Sequence, residues 1–116
     1  SIRVVSRKRL NSAEPNAGHI VKRIKKLENI GKNLIKKFNL SWLYDCDLMI
    51  DEKGNYKIIE INPRMSGSSV VSVEAGYPLF DDMISILRNK KIKKINKPIN
   101  KIIFPYTSLG SIKKIK

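Results

Sequence analysis

The most regular hydrophobic pattern in the sequence runs from about Ala17 to Phe38. Large apolar residues recur there every three or four positions and lysines fill the positions between them, as in an amphipathic helix. The pattern predicts a helix over 17–38, most strongly over 25–37, although Gly31 lowers the helix propensity slightly. The apolar positions are Ile20, Ile24, Leu27, Ile30, Leu34, Ile35 and Phe38.

Short β-branched segments near the two ends of the chain predict strands. The first strand is expected over 2–9, and the segment 11–18 after it reads as a loop because it is rich in Asn, Ser, Pro and Gly. The second strand is expected over 101–104. Pro105 confines that strand to a sheet edge or a strand end, because proline cannot donate to a ladder.

The stretch after residue 67 predicts two helices separated by a turn. They cover 68–75 and 79–88, and the residues that break them are Gly76-Tyr77-Pro78. Asp81 and Asp82 fall in the first turn of the second helix, where acidic side chains interact favourably with the helix dipole.

Two apolar segments in the middle of the chain, 42–50 and 55–62, predict a β-hairpin with a carboxylate-bearing face. The loop between them is Asp51–Gly54, in which Gly54 can take a positive φ. With a four-residue loop, Asp47 and Glu60 become diagonal neighbours on one face, roughly 7–8 Å apart at the backbone. That face is predicted to carry Asp45, Asp47, Met49, Ile58, Glu60 and Asn62, and the core face Tyr44, Cys46, Leu48, Ile50, Ile59 and Ile61.

Carboxylates gathered on one strand pair repel one another unless a cation or a basic side chain lies among them. Oxygen donors of this kind suit Mg²⁺, which proteins usually hold with one or two carboxylates together with phosphate oxygens. The spacing alone is compatible with a metal site but favours a solvated polar face. A register slip of one residue would place Asp47 and Glu60 on opposite faces and remove the site.

Charge is distributed unevenly along the 116 residues, which carry a net charge of +14. Residues 45–88 hold 4 basic and 8 acidic side chains, whereas the segments before and after them each carry a net +9. Because Lys and Ile each occur 18 times, as biased coding would produce, the basic ends are interpreted first as solvated faces. No aromatics interleave the basic runs, so no specific nucleic-acid partner is expected, and a basic nucleic-acid-binding module is kept as the alternative function.

Other classes of protein are excluded by composition. One Cys cannot build a disulfide framework or a cysteine-rich zinc module. No apolar run approaches the ~18 residues that a membrane span requires, and no apolar leader follows Ser1. The expected location is therefore cytoplasmic, with no membrane partner.

The segment after the second hairpin strand contains the groups that an anion site requires. Pro63 ends that strand, and Arg64 and the loop 65–68 follow directly at the strand end. A guanidinium beside small-residue backbone N–H groups, just before a helix, can bind an anion. An ordinary strand-to-helix turn with a surface arginine is the competing interpretation, and the segment taken alone favours it.

At these residues the sequence resembles the ATP-grasp superfamily, in particular its carbamoyl-phosphate synthase large-subunit and carboxylate–amine ligase branches. The resemblance covers about residues 3–90, and its most specific part is the block Glu60-Ile61-Asn62-Pro63-Arg64, preceded by an acidic residue at hairpin distance. The other matching stretches are 5–9, 43–50, 65–69 and 74–78.

The resemblance implies an α+β fold in which helices pack on one face of an antiparallel sheet, as in the C-terminal lobe of an ATP-grasp fold. This lobe would span 1–92, followed by a Lys-rich tail over 93–116 with a short closing strand. The implied cofactors are ATP and two Mg²⁺ ions, for which Mn²⁺ could substitute. Asp47, Glu60 and Asn62 would hold the ions, with Glu60 bridging both.

Three further roles are carried over from the same family. Arg64 would contact the transferred phosphoryl group or the acyl phosphate, and Arg9 is a weaker candidate for the acceptor or the γ-phosphate. Met49 would pack under the adenine. Asp47 departs from the Gln or Glu that is common at its position, and its shorter side chain reaches less far.

The implied reaction is phosphorylation of a small carboxylate or bicarbonate by ATP, followed by attack of an amine. Nothing in the chain resembles the first lobe of the grasp, so the partner expected here is a missing N-terminal lobe, and the isolated chain is expected to be inactive. A non-catalytic nucleotide-binding lobe remains an alternative, and a homo-oligomer is left open. His19 is interpreted as a surface or loop residue and Cys46 as a packed one.

Overall fold

Pairs of strands are separated by helices along the chain, in an α+β arrangement. The computed structural model describes residues 2–14, 17–96 and 99–105. Within these ranges the strands are β1 (Arg7–Arg9), β2 (His19–Val21), β3 (Asp45–Ile50), β4 (Tyr56–Asn62) and β5 (Lys101–Ile103). The helices are α1 (Lys25–Lys37), α2 (Ser69–Ala75) and α3 (Leu79–Leu87).

The strands of the described chain form two small antiparallel sheets rather than the single sheet that was expected. One has the order β1-β2-β5, and the other is the hairpin of β3 and β4. The predicted strand near the C-terminal end is therefore confirmed as β5, on the edge of the first sheet, where His19 lies opposite Ile103. Residues 106–116 of the predicted tail lie outside the described residues.

The long helix is confirmed over 25–37, but its predicted first third is wrong. Residues 19–21 form β2, and Ile24 caps α1 with an extended backbone, φ −120 and ψ 103. Strand pairing on both sides buries His19 and Val21. Ser6 holds the chain where it passes from β2 into α1, because its hydroxyl donates to the Lys22 carbonyl and accepts from the Ile24 N–H at 3.1 Å.

The first strand is shorter than predicted, since only Arg7–Arg9 of the segment 2–9 pair with β2. The residues before them lie beside the helices instead. Val4 packs against Gly31 of α1, where a Cβ added to the glycine would come within 2.9 Å of Val4 Cγ2. The glycine that weakens the helix locally therefore allows the N-terminal segment to approach it closely.

Arg3 ties the N-terminal segment to α3. Its Nε donates to Asp82 Oδ2 at 2.5 Å and its Nη2 donates to Asp82 Oδ1 at 3.0 Å and to the Lys93 carbonyl at 2.6 Å. Both side chains are nearly buried, at 12% and 7% exposure. Asp82 was predicted only as a helix-dipole residue, and its larger role is to hold this buried ion pair.

The buried apolar core of the described residues is small. It consists of Val21, Ala75 and Leu79, and α2 turns its buried face, Ser69, Ser72 and Ala75, inward. The predicted break between α2 and α3 is confirmed by Gly76, whose φ of 112 ends the first helix. None of the described helices combines the length and apolar character needed to cross a bilayer.

Substituting Gly18 by Ala is expected to destabilise the first sheet by at least about 2 kcal/mol, because strained positive-φ conformations cost about 1–3 kcal/mol each. Gly18 has a φ of +119, and an added Cβ would lie 2.7 Å from the Ile103 carbonyl of β5. The matched control is Gly54→Ala, which also has positive φ but nothing within 4 Å. Urea unfolding of both variants measures the difference. Equal losses would contradict the close approach to β5.

Candidate functional site

The hairpin of β3 and β4 places the predicted acidic residues on one face, although its register differs from the predicted one in two places. Ile50 lies opposite Tyr56, so the loop has five residues rather than the four expected. A β-bulge then shifts the register between Asp47 and Leu48, which leaves Ile59 of β4 without a partner. Because the two one-residue shifts add up to two, Asp47 returns to the same face as Glu60.

This register confirms the shared face of Asp47 and Glu60 and corrects its details. The two residues are directly opposed, not diagonal, and Asp45 faces Asn62 rather than Glu60. Ile58 was predicted on the acidic face, but it pairs with Leu48 and lies on the other one. The loop length assumed for the prediction was one residue short, and this moved the β4 residues near the tip, among them Ile58, to the wrong face.

The donor groups on this face fit a hard divalent cation. Directly opposed residues have Cβ atoms about 4.5–5.5 Å apart, so the carboxylates of Asp47 and Glu60 can converge on one ion. Asn62 stands two residues from Glu60 and donates its Nδ2 to Glu60 Oε1. The set consists of two carboxylates and one amide, all oxygen donors that suit Mg²⁺. Among the described residues, no three His, Cys, Asp or Glu side chains form a metal-holding group.

Two arginines of β1 reach across to two aspartates of β3. Arg7 pairs with Asp45, and Arg9 Nη2 lies 3.3 Å from Asp47 Oδ2. Each arginine is 38 positions from its aspartate, so the two strands advance in the same direction where the pairs form. Asp45 is thereby neutralised by a basic side chain, which removes it from the group of carboxylates that would compete for a cation.

Arg7 also joins this region to α2. Its Nη1 donates to the Ser68 carbonyl at 2.8 Å and to Ser72 Oγ at 3.3 Å. The Arg7 and Asp45 side chains are each only 15% exposed, so the pair is shielded from water. Arg7 was not predicted as a site residue, and it fixes the start of α2 against β3.

Arg64 and its loop stand at the end of β4, as predicted, but the arginine is not aimed at the carboxylates. Its Nη1 donates to the adjacent Met65 carbonyl at 3.1 Å, and the side chain is exposed. In the loop, Ser66 N donates to Ser69 Oγ at 3.2 Å. Arg64 is therefore free to turn toward an anion from the loop mouth.

Met49 lies on the open surface at the other end of the same face. It is 63% exposed and opposes Lys57 across the strand pair. By alternation along β3 it shares the face of Asp47. An apolar thioether beside the carboxylates can pack against a flat ring.

His19 is the main titratable residue for which the sequence interpretation was wrong. It is 6% exposed on β2, opposite Arg9, and its buried Nδ1 has no hydrogen-bond partner within the described chain. Burial lowers the pKa of His19, and the positive charges of Arg7 and Arg9 lower it further, against a smaller opposing effect of Asp45. Its pairing partner on β5, Ile103, lies about eighty residues further along the chain, so no local sequence signal indicated the burial.

Stability is expected to fall as the pH drops below about 6.5, because the unfolded chain binds a proton on His19 before the folded chain does. The loss stops accumulating at the lower pKa of the folded state. His19 is the only histidine, so His19→Gln should remove this pH dependence. Urea unfolding midpoints at about pH 7.5 and about pH 5.5 measure it in both proteins. If the difference between the two midpoints is the same in His19→Gln as in the wild type, His19 is excluded as the source of the pH dependence.

Cys46 lies on the face opposite the carboxylates and is half-buried. Burial raises the pKa of its thiol, and the charges of Asp45 and Asp47 raise it further. A raised pKa keeps the thiol protonated and a poor nucleophile, as its predicted packing role requires.

Comparison with known proteins gives one family. Residues 1–107 match the family described as ATP-grasp in the biosynthetic pathway with Ter operon. Neither a curated protein nor a solved structure gave a significant match. The matched range contains every candidate site residue described above.

Proposed function

This chain belongs to the ATP-grasp family, and on that premise we propose that it supplies the metal- and phosphate-binding lobe of an ATP-dependent ligase. Membership of this family establishes an ATP-grasp fold of the ATP-dependent ligase type. The proposal is more specific, because it assigns the acyl-phosphate route to the enzyme and the C-terminal half of the ATP site to this chain. Its partner would be an N-terminal lobe that closes over the nucleotide.

One observation carries the proposal: Asp47 and Glu60 oppose each other on one sheet face, beside Asn62. These three side chains would hold Mg²⁺, with Glu60 placed between the other two donors. When bound, Mg²⁺ neutralises the charge that develops on the transferred phosphoryl group, which is the largest electrostatic contribution in such reactions. Asp47 would have to leave Arg9, and Glu60 would have to share its oxygen with the Asn62 amide.

In the proposed reaction, a carboxylate oxygen of the substrate attacks the γ-phosphorus of ATP and ADP leaves. The nitrogen of an amine then attacks the acyl carbon, inorganic phosphate leaves, and the amine loses a proton. Arg64 would turn from the Met65 carbonyl to bind the phosphoryl oxygens, and Met49 would cover the adenine. Once bound to these oxygens, the guanidinium would lower the barrier because it stabilises charge that is greatest in the transition state.

The proposal is tested by following ADP release from the full-length natural protein across a set of small carboxylic acids and bicarbonate, with and without amines. Hydroxylamine in the assay captures an acyl phosphate as a hydroxamate. The expected result is ADP release that depends on one acid, with hydroxamate formed in its presence. Acid-dependent ADP release without hydroxamate would contradict the acyl-phosphate route, and no ADP release with any acid would contradict the ligase assignment.

A further inference from the structure

The two ion pairs between β1 and β3 differ in how easily they can open. Arg7 and Asp45 are each 15% exposed, and Arg7 has two further acceptors on α2. Arg9 and Asp47 are 44% and 48% exposed, and their single contact of 3.3 Å is longer than a strong charge-assisted hydrogen bond. The inner pair is a fixed anchor, whereas the outer pair can dissociate at little cost.

The outer pair uses a carboxylate that the proposed metal site also needs. Arg9 Nη2 contacts Asp47 Oδ2, and Asp47 stands opposite Glu60. A divalent ion between these carboxylates would lie within a few ångströms of the Arg9 guanidinium, where like charges repel strongly. Asp47 therefore cannot hold the arginine and the ion with full strength at the same time.

We propose that Arg9 is a placeholder cation, which balances Asp47 in the metal-free site and is released to the nucleotide phosphates when a divalent ion takes its place. This inference rests on the proposed function, since it assumes that Asp47 ligates the ion. Metal binding is then coupled to the movement of the Arg9 guanidinium from Asp47 to the phosphates.

The anchor keeps the released arginine near the site. Arg7 is two residues from Arg9 and remains bound to Asp45 and α2, so β1 stays beside β3 when the outer pair opens. The motion required is a rotation of the Arg9 side chain about its flexible stem. His19, opposite Arg9 on β2, adds no charge of its own at neutral pH, because its lowered pKa keeps it unprotonated.

The inference predicts opposite changes in two affinities when Arg9 is replaced by Gln. Without nucleotide, the affinity for Mn²⁺ should rise roughly two- to five-fold, the range expected from the loss of one exposed ion pair. With Mn²⁺ present, the affinity for ATP should fall at least about ten-fold, because a charge-assisted hydrogen bond to phosphate is lost. A purely structural role for Arg9 would weaken both.

The experiment uses the full-length natural protein and titrates Mn²⁺ alone by its paramagnetic resonance signal, and then ATP at fixed Mn²⁺ by calorimetry. Lys8→Gln is the matched control, since it removes one positive charge from the same strand at a residue that pairs with Ile20 on the other face. Arg9→Lys, which keeps the charge but has no planar fork, should give smaller changes in the same directions.

Each outcome has a definite meaning. Tighter Mn²⁺ and weaker ATP binding in Arg9→Gln, with Lys8→Gln near wild type, support the exchange. Unchanged or weaker Mn²⁺ binding overturns it, as does unchanged ATP affinity or an equal response of Lys8→Gln. If the wild-type protein binds neither Mn²⁺ nor ATP, the proposed function itself fails, and that result is visible before any variant is compared.

Discussion

Replacing Glu60 by Gln is expected to lower the turnover of the full-length natural protein at least about a hundredfold, because metal-ion stabilisation of the transition state is worth several kcal/mol. Glu60 faces Asp47 across the strand pair and lies beside Asn62, so no other described carboxylate can replace it there. The amide of the variant keeps the shape of the side chain and removes its charge. The rate of ADP release measures the effect, and circular dichroism checks that the fold survives.

Glu52→Gln is the matched control for this prediction. Glu52 is an exposed acid in the turn of the same hairpin, so its substitution removes one negative charge without touching the site. It should retain nearly full turnover, and Asn62→Ala should behave like Glu60→Gln. A Glu60→Gln protein with more than about a tenth of wild-type activity would refute the metal site, since a lost ligand cannot cost so little.

The largest effect on stability is expected at Asp82. Asp82→Ala leaves the Arg3 guanidinium buried without its partner, and breaking a buried pair in this way costs about 3–5 kcal/mol. The side chain of Asp82 is only 7% exposed and accepts two hydrogen bonds from Arg3, so water cannot replace them. Urea unfolding, followed by the signal of Trp42, measures the loss.

Asp81→Ala distinguishes the contribution of the ion pair to stability from that of the helix dipole. Both aspartates lie in the first turn of α3, but Asp81 is exposed, so its loss should cost only about 0.3–1 kcal/mol. Adding Arg3→Ala to Asp82→Ala should recover part of the stability, because the uncompensated charge is then gone. If the Asp81 and Asp82 variants were equally destabilised, the pair with Arg3 would contribute nothing.

Local pattern predicted the helices well and the first sheet poorly. The body and the C-terminal end of α1 follow from a periodicity that residues 25–37 carry by themselves, but its start does not. Ile20 also fits that periodicity, yet it belongs to β2, whose partner β5 lies about eighty residues further along the chain. Pairing between strands so distant overrides local helix propensity, and a single sequence contains no signal for it.

The candidate site was predicted in part through two errors that cancel. The assumed loop was one residue too short, and the bulge at Ile59 was not foreseen, yet Asp47 and Glu60 share a face because both shifts are odd. The pairs of Arg7 and Arg9 with β3, and the burial of His19, depend on contacts between elements. They could not be read from spacing within any one segment.

The bulge at Ile59 divides the hairpin into two segments whose strand registers differ by one residue. Near the turn, the face of Asp47 and Met49 continues with Lys57, and beyond the bulge it continues with Glu60. A relative that lacks the bulge residue but keeps the turn would still oppose the equivalents of Asp47 and Glu60, with one residue fewer between them. An alignment that places this gap in the turn, and not at the bulge, would assign the residues equivalent to 56–58 to the wrong face of the hairpin.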